Sequence, residues 1–389
     1  MLKKILIASI LLLTLHSCKQ EQKRTHERKE KSEIQQTFSV SFPKLKKNEI
    51  KKFEKEIHSF YNSKINLDDF SGSFLVAKNG EILFENYVGF SNYKEKNIIT
   101  KNTPIHLASI SKVLTASVVL RMVDENKISL EDSFQKYFPK FPFEKITIRT
   151  LLNHRSGLPN YAYFTDNDSI WNKSKTLKNS DVLDLLCTKE IPLDFTPNTK
   201  FSYCNTNYAL LASLIEEVSK MSFPIAMQKL LFEPLQMNNT FVFEFGKQKD
   251  RVSQSYKSTW EKIPYDHLDA VYGDKNIYST PQDLLKFDIA TYSEKFYSNK
   301  LRSEIFKGYS YERPGVKNYG LGIRLNEWDD TPTLFYHNGW WHGNTTSYTT
   351  LKNEKVCIIT LSNKYTRKVY QAKRLSSLFG NYPFEIDED

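Results

Sequence analysis

The residue types best placed to do chemistry together are Ser109 and Lys112. Both lie in an apolar run, Ile105 to Leu120, whose only fixed charge is Lys112. An ammonium buried without a partner costs several kcal/mol, so a lysine in such a run must reach a partner, reach water or do work. Three-residue spacing on a helix sets the Ser109 hydroxyl beside that ammonium. A hydroxyl next to an amine that can take its proton is an activated nucleophile. The spacing alone selects nothing, because Ser-x-x-Lys also begins at Ser41, Ser91 and Ser133; only Ser109 opens a long apolar helix. The alternative is a structural lysine whose stem lies in the core while its head snorkels to water.

A serine nucleophile requires a base, an oxyanion site and a substrate anchor. Two stretches could supply them. One is the polar loop Pro197 to Tyr208, which contains Tyr203-Cys204-Asn205 and precedes a helix. Tyr-x-Asn also begins at Tyr297 and Tyr336, so it is weak alone. The other is Tyr336 to Gly343, which precedes a strand and holds a His-x-Gly at His337-Asn338-Gly339. Tyr161, Tyr163, Phe164 and Trp171 could rim a cleft or pack a long loop.

The elements that must position these residues follow from periodicity. Ile50, Phe53, Ile57 and Phe60 recur at helical spacing. Two strands, Ser73 to Ala77 and Ile82 to Phe84, flank an Asn79-Gly80 turn and form a hairpin. The Ser109 helix runs to about Asn126, and a short helix near Leu151 is closed by Gly157 and Pro159. Further helices cover about 207–220 and 225–231, and Thr280-Pro281 starts another. Strand-like runs at Tyr319 to Leu325, Ser347 to Leu351 and Val356 to Leu361 precede a terminal helix over about 365–379. Such an order predicts an α/β (α+β) fold, in which the terminal strands join the first hairpin in one antiparallel sheet. The sheet part covers about 47–107 and 270–389, and an all-helical subdomain covers about 108–269. Ser109 would lie at the seam, where clefts form.

The chain has 389 residues and 40% hydrophobic content, enough for a substantial core. Its net charge of +10 is spread along the sequence, which argues for a basic surface and against nucleic acid as a partner. Neither Cys-x-x-Cys nor a His/Cys zinc spacing occurs, so no metal and no cofactor are indicated. Residues 1–17 read as an export signal, with Lys3 and Lys4 before an apolar run too short to span a bilayer. The run ends in Leu15-His16-Ser17-Cys18, which resembles a lipobox and makes Cys18 the candidate lipidation site. Residues 18–46 would then be a disordered tether, and 47–389 the folded domain of an exported lipoprotein, periplasmic or anchored at the outer membrane or cell surface. The oligomeric state is open. With Cys18 lipidated, three thiols remain, so at least one stays free.

Ser109-x-x-Lys112, Tyr203-x-Asn205 and His337-x-Gly339 stand in this order, flanked by Leu151 to Pro159, Leu231 to Met237, Tyr278 to Leu284 and Tyr319 to Arg324. In these features the sequence resembles the serine β-lactamase and penicillin-binding DD-peptidase superfamily, on its class C side with esterase and carboxypeptidase relatives. The likeness spans Phe70 to Asn363. It implies that Ser109 forms an acyl-enzyme, that Lys112 and Tyr203 pass the proton, and that Asn205 orients Lys112 and a substrate amide. It also implies an oxyanion site made of the Ser109 and Trp340 N–H groups. His337 replaces the lysine usual in β-lactamases, and Arg324 matches an arginine that binds a terminal carboxylate in some carboxypeptidases; the alternative for Arg324 is an exposed strand residue. Departures are the bulky Trp340 and Trp341, expected to narrow the cleft or stack on substrate, Asn338 at a position often threonine, and Cys204 inside the second motif. The substrate would be a D-Ala-D-Ala-type peptide, a β-lactam or a small ester. A catalytically inactive scaffold on the same fold is the rival.

Overall fold

The computed structural model describes residues 38, 40–67, 69–244, 247–248 and 252–386. The export signal, Cys18 and most of the tether expected from the sequence lie outside them. Both ends of the described chain build one sheet. Strands β1 (Gly72–Lys78) and β2 (Glu81–Val88) form the first hairpin. Its turn residues, Asn79 and Gly80, have φ of +52° and +74°, the signs a type I′ turn requires. Strands β3 (Phe90–Asn92) and β4 (Asn97–Ile98) make a small ribbon, and β5 (Ile105–His106), β6 (Phe241–Val242) and β7 (Ile277–Ser279) a short second sheet. The last strands are β8 (Lys317–Tyr319), β9 (Arg324–Asn326), β10 (Leu334–Trp341), β11 (Asn344–Leu351) and β12 (Val356–Ser362). They join the hairpin in the order β2-β1-β12-β11-β10-β9-β8, antiparallel throughout.

Alternation buries both faces of this sheet. Phe74, Val76 and Ile358 join one apolar cluster, whereas Leu75, Ala77 and Ile359 join another. Helix α1 (Lys47–Phe60) covers the first face with Ile57 and Phe60, together with Val369, Ala372 and Leu375 from the segment Lys368–Leu378. The second face carries the helices between β5 and β7: α2 (Ser111–Asp124), α3 (Ile148–Leu152), α4 (Tyr161–Phe164), α5 (Asn179–Thr188), α6 (Asn205–Ser219) and α7 (Phe223–Met227). Helices α8 (Pro281–Ala290) and α9 (Asn299–Ile305) follow β7. Helix α2 is buried continuously from Ser111 to Leu120, as expected of a helix apolar on all sides.

Three local expectations are corrected and one is extended. The Ser109 helix starts later, at Ser111, because Ala108–Ile110 form a 3-10 turn. Tyr319 to Leu325 is a hairpin, not one strand, since Gly322 at φ +91° reverses the chain between β8 and β9. The Tyr336 motif, which does precede a strand, β11, is itself largely strand, as the end of β10. The terminal helix is 3-10 over Lys368–Leu378. Among the described residues Cys187, Cys204 and Cys357 are free thiols.

Candidate active site

Ser109 occupies the middle of the 3-10 turn that delivers the chain from β5 into α2. The preceding Ala108 has φ +48°, a left-handed conformation that an L-residue keeps only when its surroundings impose it. His106 imposes it: its Nδ1 accepts the Ala108 N–H at 3.0 Å, so its Nε2–H donates to Asn276 Oδ1, also at 3.0 Å. Burial pushes the His106 imidazole down to about 4, which keeps it neutral and able to accept. On either side, Leu107 N–H donates to the Ile277 carbonyl at 2.8 Å and the Leu107 carbonyl accepts from Thr346 Oγ1 at 2.8 Å.

Lys112, one helical turn on, is fully buried. Its Nζ donates to Ser109 Oγ at 3.1 Å and to the Asp274 carbonyl at 2.8 Å, and it stands 5.0 Å from the Tyr203 ring centroid. Helix α2 binds this acceptor segment at two more points. Thr115 Oγ1 donates to the Gly273 carbonyl at 2.8 Å, and Ser111 Oγ accepts the Ile277 N–H at 3.1 Å. From the other side Tyr161 donates to Asp274 Oδ2 at 2.9 Å, with the Lys275 ammonium 3.6 Å from the same oxygen. Tyr161 is therefore a buried anchor, Phe164 and Trp171 pack against the core, and only Tyr163, 78% exposed, stays at the surface.

Tyr203 sits on the loop that enters α6, and Asn205 is the first residue of that helix. His154 holds this entry in place, because its Nδ1 accepts the Cys204 N–H at 3.1 Å and the Asn207 amide at 3.2 Å. Its ring centroid lies 4.4 Å from that of Tyr203. Burial and the Lys112 charge hold the His154 imidazole well below its ordinary range. Burial also raises the Cys204 thiol to about 11, leaving it an inert packing group. Asn205 does not bond Lys112; the Asp274 carbonyl takes that place. The Tyr203 hydroxyl and Asn205 Oδ1 are instead buried with no partner in the chain. An unpaired buried polar atom costs about 1–3 kcal/mol, so two together beside Ser109 and Lys112 mark where a ligand would satisfy them.

The opposite wall is β10. Strand β9 pairs with it only at Leu334, Phe335 and Tyr336, whereas β11 continues to Trp341. Among the described residues, the second edge from His337 to Trp341 thus has no strand partner, and an extended acyl chain can align there. Gly339 lets this edge approach the serine turn, since a Cβ there would lie 2.2 Å from Thr346 Oγ1 and 2.5 Å from the Leu107 carbonyl. His337 is fully buried: its Nδ1–H donates to the Asn338 carbonyl at 2.9 Å, and Nε2 accepts from the Tyr319 hydroxyl at 3.1 Å. Burial and the Arg324 charge hold it neutral, so it braces the wall and offers the cleft neither charge nor donor. Asn338 Oδ1 is another buried oxygen without a partner. Arg324 lies with its guanidinium carbon 4.6 Å from the Tyr203 ring centroid and 5.7 Å from that of Tyr319.

The two tryptophans separate. Trp341 is pinned by an Nε1–H bond to Asp269 Oδ1 at 2.8 Å and carries the Lys275 ammonium 4.7 Å over its ring. Trp340, 60% exposed, is the one open to a ligand. Asp266, Asp269 and His342 bring potential metal-ligand atoms within 4.8 Å of one another. Both oxygens of Asp269 are already occupied, by Trp341, His342 and the Asp266 N–H, and the group serves as the Trp341 anchor.

Helices on both faces of an antiparallel sheet, with a Ser–Lys pair set against an open strand edge, define the class of the β-lactamase-related serine hydrolases. Residues 67–378 match the Beta-lactamase family model, and the chain belongs to that family. It is 31% identical over 339 residues to penicillin-binding protein 4* of Bacillus subtilis strain 168, covering 82% of this chain and 74% of the relative. Teichoic acid D-alanine hydrolase of Staphylococcus aureus strain NCTC 8325 / PS 47 is 25% identical over 345 residues, covering 87% and 79%. The crystal structure of a penicillin binding protein from Bacillus halodurans superposes with a TM-score of 0.72 at 22% identity, covering 83% of this chain and 99% of that one. The chain is an enzyme, a β-lactamase-related serine hydrolase with a small-molecule or peptide substrate.

Three buried neutral histidines carry a pH signature. The folded His106 titrates near 4 against an ordinary value of 6.5, and His154 and His337 are shifted the same way. The unfolded chain therefore binds more protons in this window. The His106 contribution to stability is complete above about pH 6.5 and is lost as pH falls toward about 4, at up to about 1.4 kcal/mol per pH unit, and those of His154 and His337 fall in the same direction. Urea unfolding at about pH 7.5 and about pH 5 measures the loss, and His106→Gln should make it smaller. An unchanged loss would contradict a neutral, buried His106.

Proposed function

We propose that Ser109 is the acylated nucleophile of an amide or ester hydrolase whose natural donor carries a D-alanyl-type or β-lactam acyl group. The observation that carries this reading is the 3.1 Å Ser109–Lys112 hydrogen bond beside the unpaired Tyr203 hydroxyl and Asn205 oxygen. Ser109 Oγ attacks the acyl carbon and its proton passes to the Lys112–Tyr203 pair, which takes it on whichever of the amine nitrogen and the phenol oxygen is unprotonated at that step. That proton then goes to the departing amine or alcohol as the scissile bond breaks. Water then attacks the acyl carbon as it gives its proton to the same pair, the bond to Ser109 Oγ breaks, Oγ takes that proton back, and a carboxylic acid is released. The N–H groups of Ser109 and Trp340 hold the oxyanion, Asn205 Oδ1 accepts from a substrate amide, and Asn338 and Gly339 line the strand edge. The names of the two curated relatives, penicillin binding and teichoic acid D-alanine hydrolysis, favour this acyl class over a general ester. A silent scaffold is the weaker reading, because it would have no use for paired nucleophile and amine.

Arg324 has no ion-pair partner among the described residues and closes the Tyr203 side of the cleft, which suits it to a substrate carboxylate. Export and lipidation at Cys18 fit an enzyme of this class, and the described residues contain no helix long and apolar enough to cross a membrane. Metabolic labelling with palmitate should mark the protein, and a label surviving Cys18→Ser would sink the anchor.

Hydrolysis of a D-alanyl-D-alanine peptide, benzylpenicillin and a D-alanine ester tests the chemistry. Ser109→Ala should lower kcat/KM on whichever is cleaved by about a thousandfold or more, and Tyr203→Phe by about a hundredfold or more. Arg324→Ala should raise KM about tenfold for carboxylate-ended substrates, about 1.4 kcal/mol of binding, while sparing neutral esters. Full activity in Ser109→Ala would refute the nucleophile; an equal KM change on both substrate kinds would refute the carboxylate anchor.

A further inference from the structure

The two N–H groups assigned to the oxyanion, those of Ser109 and Trp340, belong to elements far apart in sequence, and turnover needs both aimed at one point. Strand β10 meets the serine turn at Gly339, which backs onto the Leu107 carbonyl. Thr346, paired with Gly339 on β11, donates to that carbonyl from Oγ1 at 2.8 Å. One place of contact fixes a separation but leaves the strand end free to pivot. A second hold, beyond Trp340, is needed to fix its direction.

Asp269 supplies that hold. Its carboxylate, buried at 1% exposure, grips the end of β10 at two successive residues. Oδ1 accepts from Trp341 Nε1–H at 2.8 Å and Oδ2 from His342 Nε2–H at 3.0 Å. The Asp266 N–H donates to Oδ2 at 2.5 Å and pins the carboxylate itself. The Asp269 carbonyl begins a second series. It accepts from Asn276 Nδ2 at 2.6 Å, and the Val271 carbonyl accepts from the same nitrogen at 2.8 Å. With both amide hydrogens committed, Asn276 Oδ1 is left to accept from His106 Nε2–H at 3.0 Å, and His106 Nδ1 accepts the Ala108 N–H at 3.0 Å. A flipped amide would set its NH2 group against the imidazole N–H. Each bond thus dictates the direction of the next, and the series ends at the residue before Ser109. Burying a carboxylate is costly even with its bonds made, and apolar side chains of similar volume often serve packing as well.

We propose that Asp269 and Asn276 are positioning residues, a bridge that fixes the Trp340 N–H relative to the Ser109 N–H; the oxyanion role rests on the hydrolase reading. Trp341→Phe cuts the bridge at the strand and keeps a ring. Asn276→Gly cuts it at the amide and tolerates the φ of +68° found there. Trp171→Phe is the control, since it removes an Nε1–H bond outside the bridge, to the Lys175 carbonyl at 3.1 Å. Hydrogen–deuterium exchange of residues 106–112 reads the bridge itself. It should quicken at least about fivefold in both bridge variants, with β1 and the control unchanged. Stopped-flow acylation by p-nitrophenyl acetate reads the role. The limiting rate should fall at least about tenfold in each bridge variant, with the half-saturating concentration within about twofold of wild type. Cutting both ends together should cost no more than about twofold beyond the worse single variant, because the two bonds lie in series. Unchanged exchange in the bridge variants, an equal loss in Trp171→Phe, a loss confined to half-saturation, or losses that multiply in the double variant overturns the proposal. If wild type and Ser109→Ala are acylated alike, or neither is acylated, the hydrolase reading fails and takes the oxyanion role with it, while exchange still judges the bridge.

Discussion

The structure depends on one costly placement, the Lys112 ammonium with no exposure to solvent. Removing a charge from water without compensation costs several kcal/mol, and two oxygens and an aromatic face supply the compensation. The Asp274 carbonyl, Ser109 Oγ and the Tyr203 ring come from three separated parts of the chain. Satisfying one ammonium therefore requires α2, the Gly273–Ile277 segment and the entry to α6 to converge. The same convergence assembles the candidate catalytic group.

Around that charge the supporting residues act in layers. Thr115 and Ser111 hold the Asp274 carbonyl against α2, and Tyr161 with Lys275 compensates the buried Asp274 carboxylate. His106 keeps the strained Ala108 turn from relaxing, and His154 fixes the Tyr203 loop. Each histidine serves as a neutral acceptor, which burial guarantees. The Tyr203 hydroxyl and Asn205 Oδ1 are left without a partner, whereas the Lys112 ammonium beside Tyr203 is satisfied. Binding capacity thus remains where substrate would sit, and the frame around it stays rigid.

Much of this frame was legible in the sequence. The Asn79-Gly80 hairpin, the joining of terminal strands to it and the helical layer between all follow from periodicity and turn chemistry. Lys112 meets Ser109 and the Tyr203 ring, Arg324 lies over the other reach of that ring, and Gly339 backs onto the serine turn. The partners of Lys112 were not legible, because a backbone carbonyl such as that of Asp274 leaves no mark in residue type. His106 and His154 were missed for a related reason: a buried histidine used as an acceptor has no partner at fixed spacing. The expectation that Asn205 would hold Lys112 gave way to that carbonyl, and His337 turned inward to Tyr319 and its neighbour's carbonyl. Trp340 and Trp341, adjacent in sequence, diverge because successive residues of a strand face opposite ways, and Asp269 claims only one of them.

The most direct test of a Ser109 acyl-enzyme is to locate the bond. Protein incubated with benzylpenicillin or a D-alanine thioester, quenched in acid and digested, should yield one peptide heavier by the mass of the acyl group. Tandem mass spectrometry should place that mass on Ser109, with Lys112 and Tyr203 unmodified. An adduct on any other residue, or one that persists unchanged in Ser109→Ala, would contradict the account.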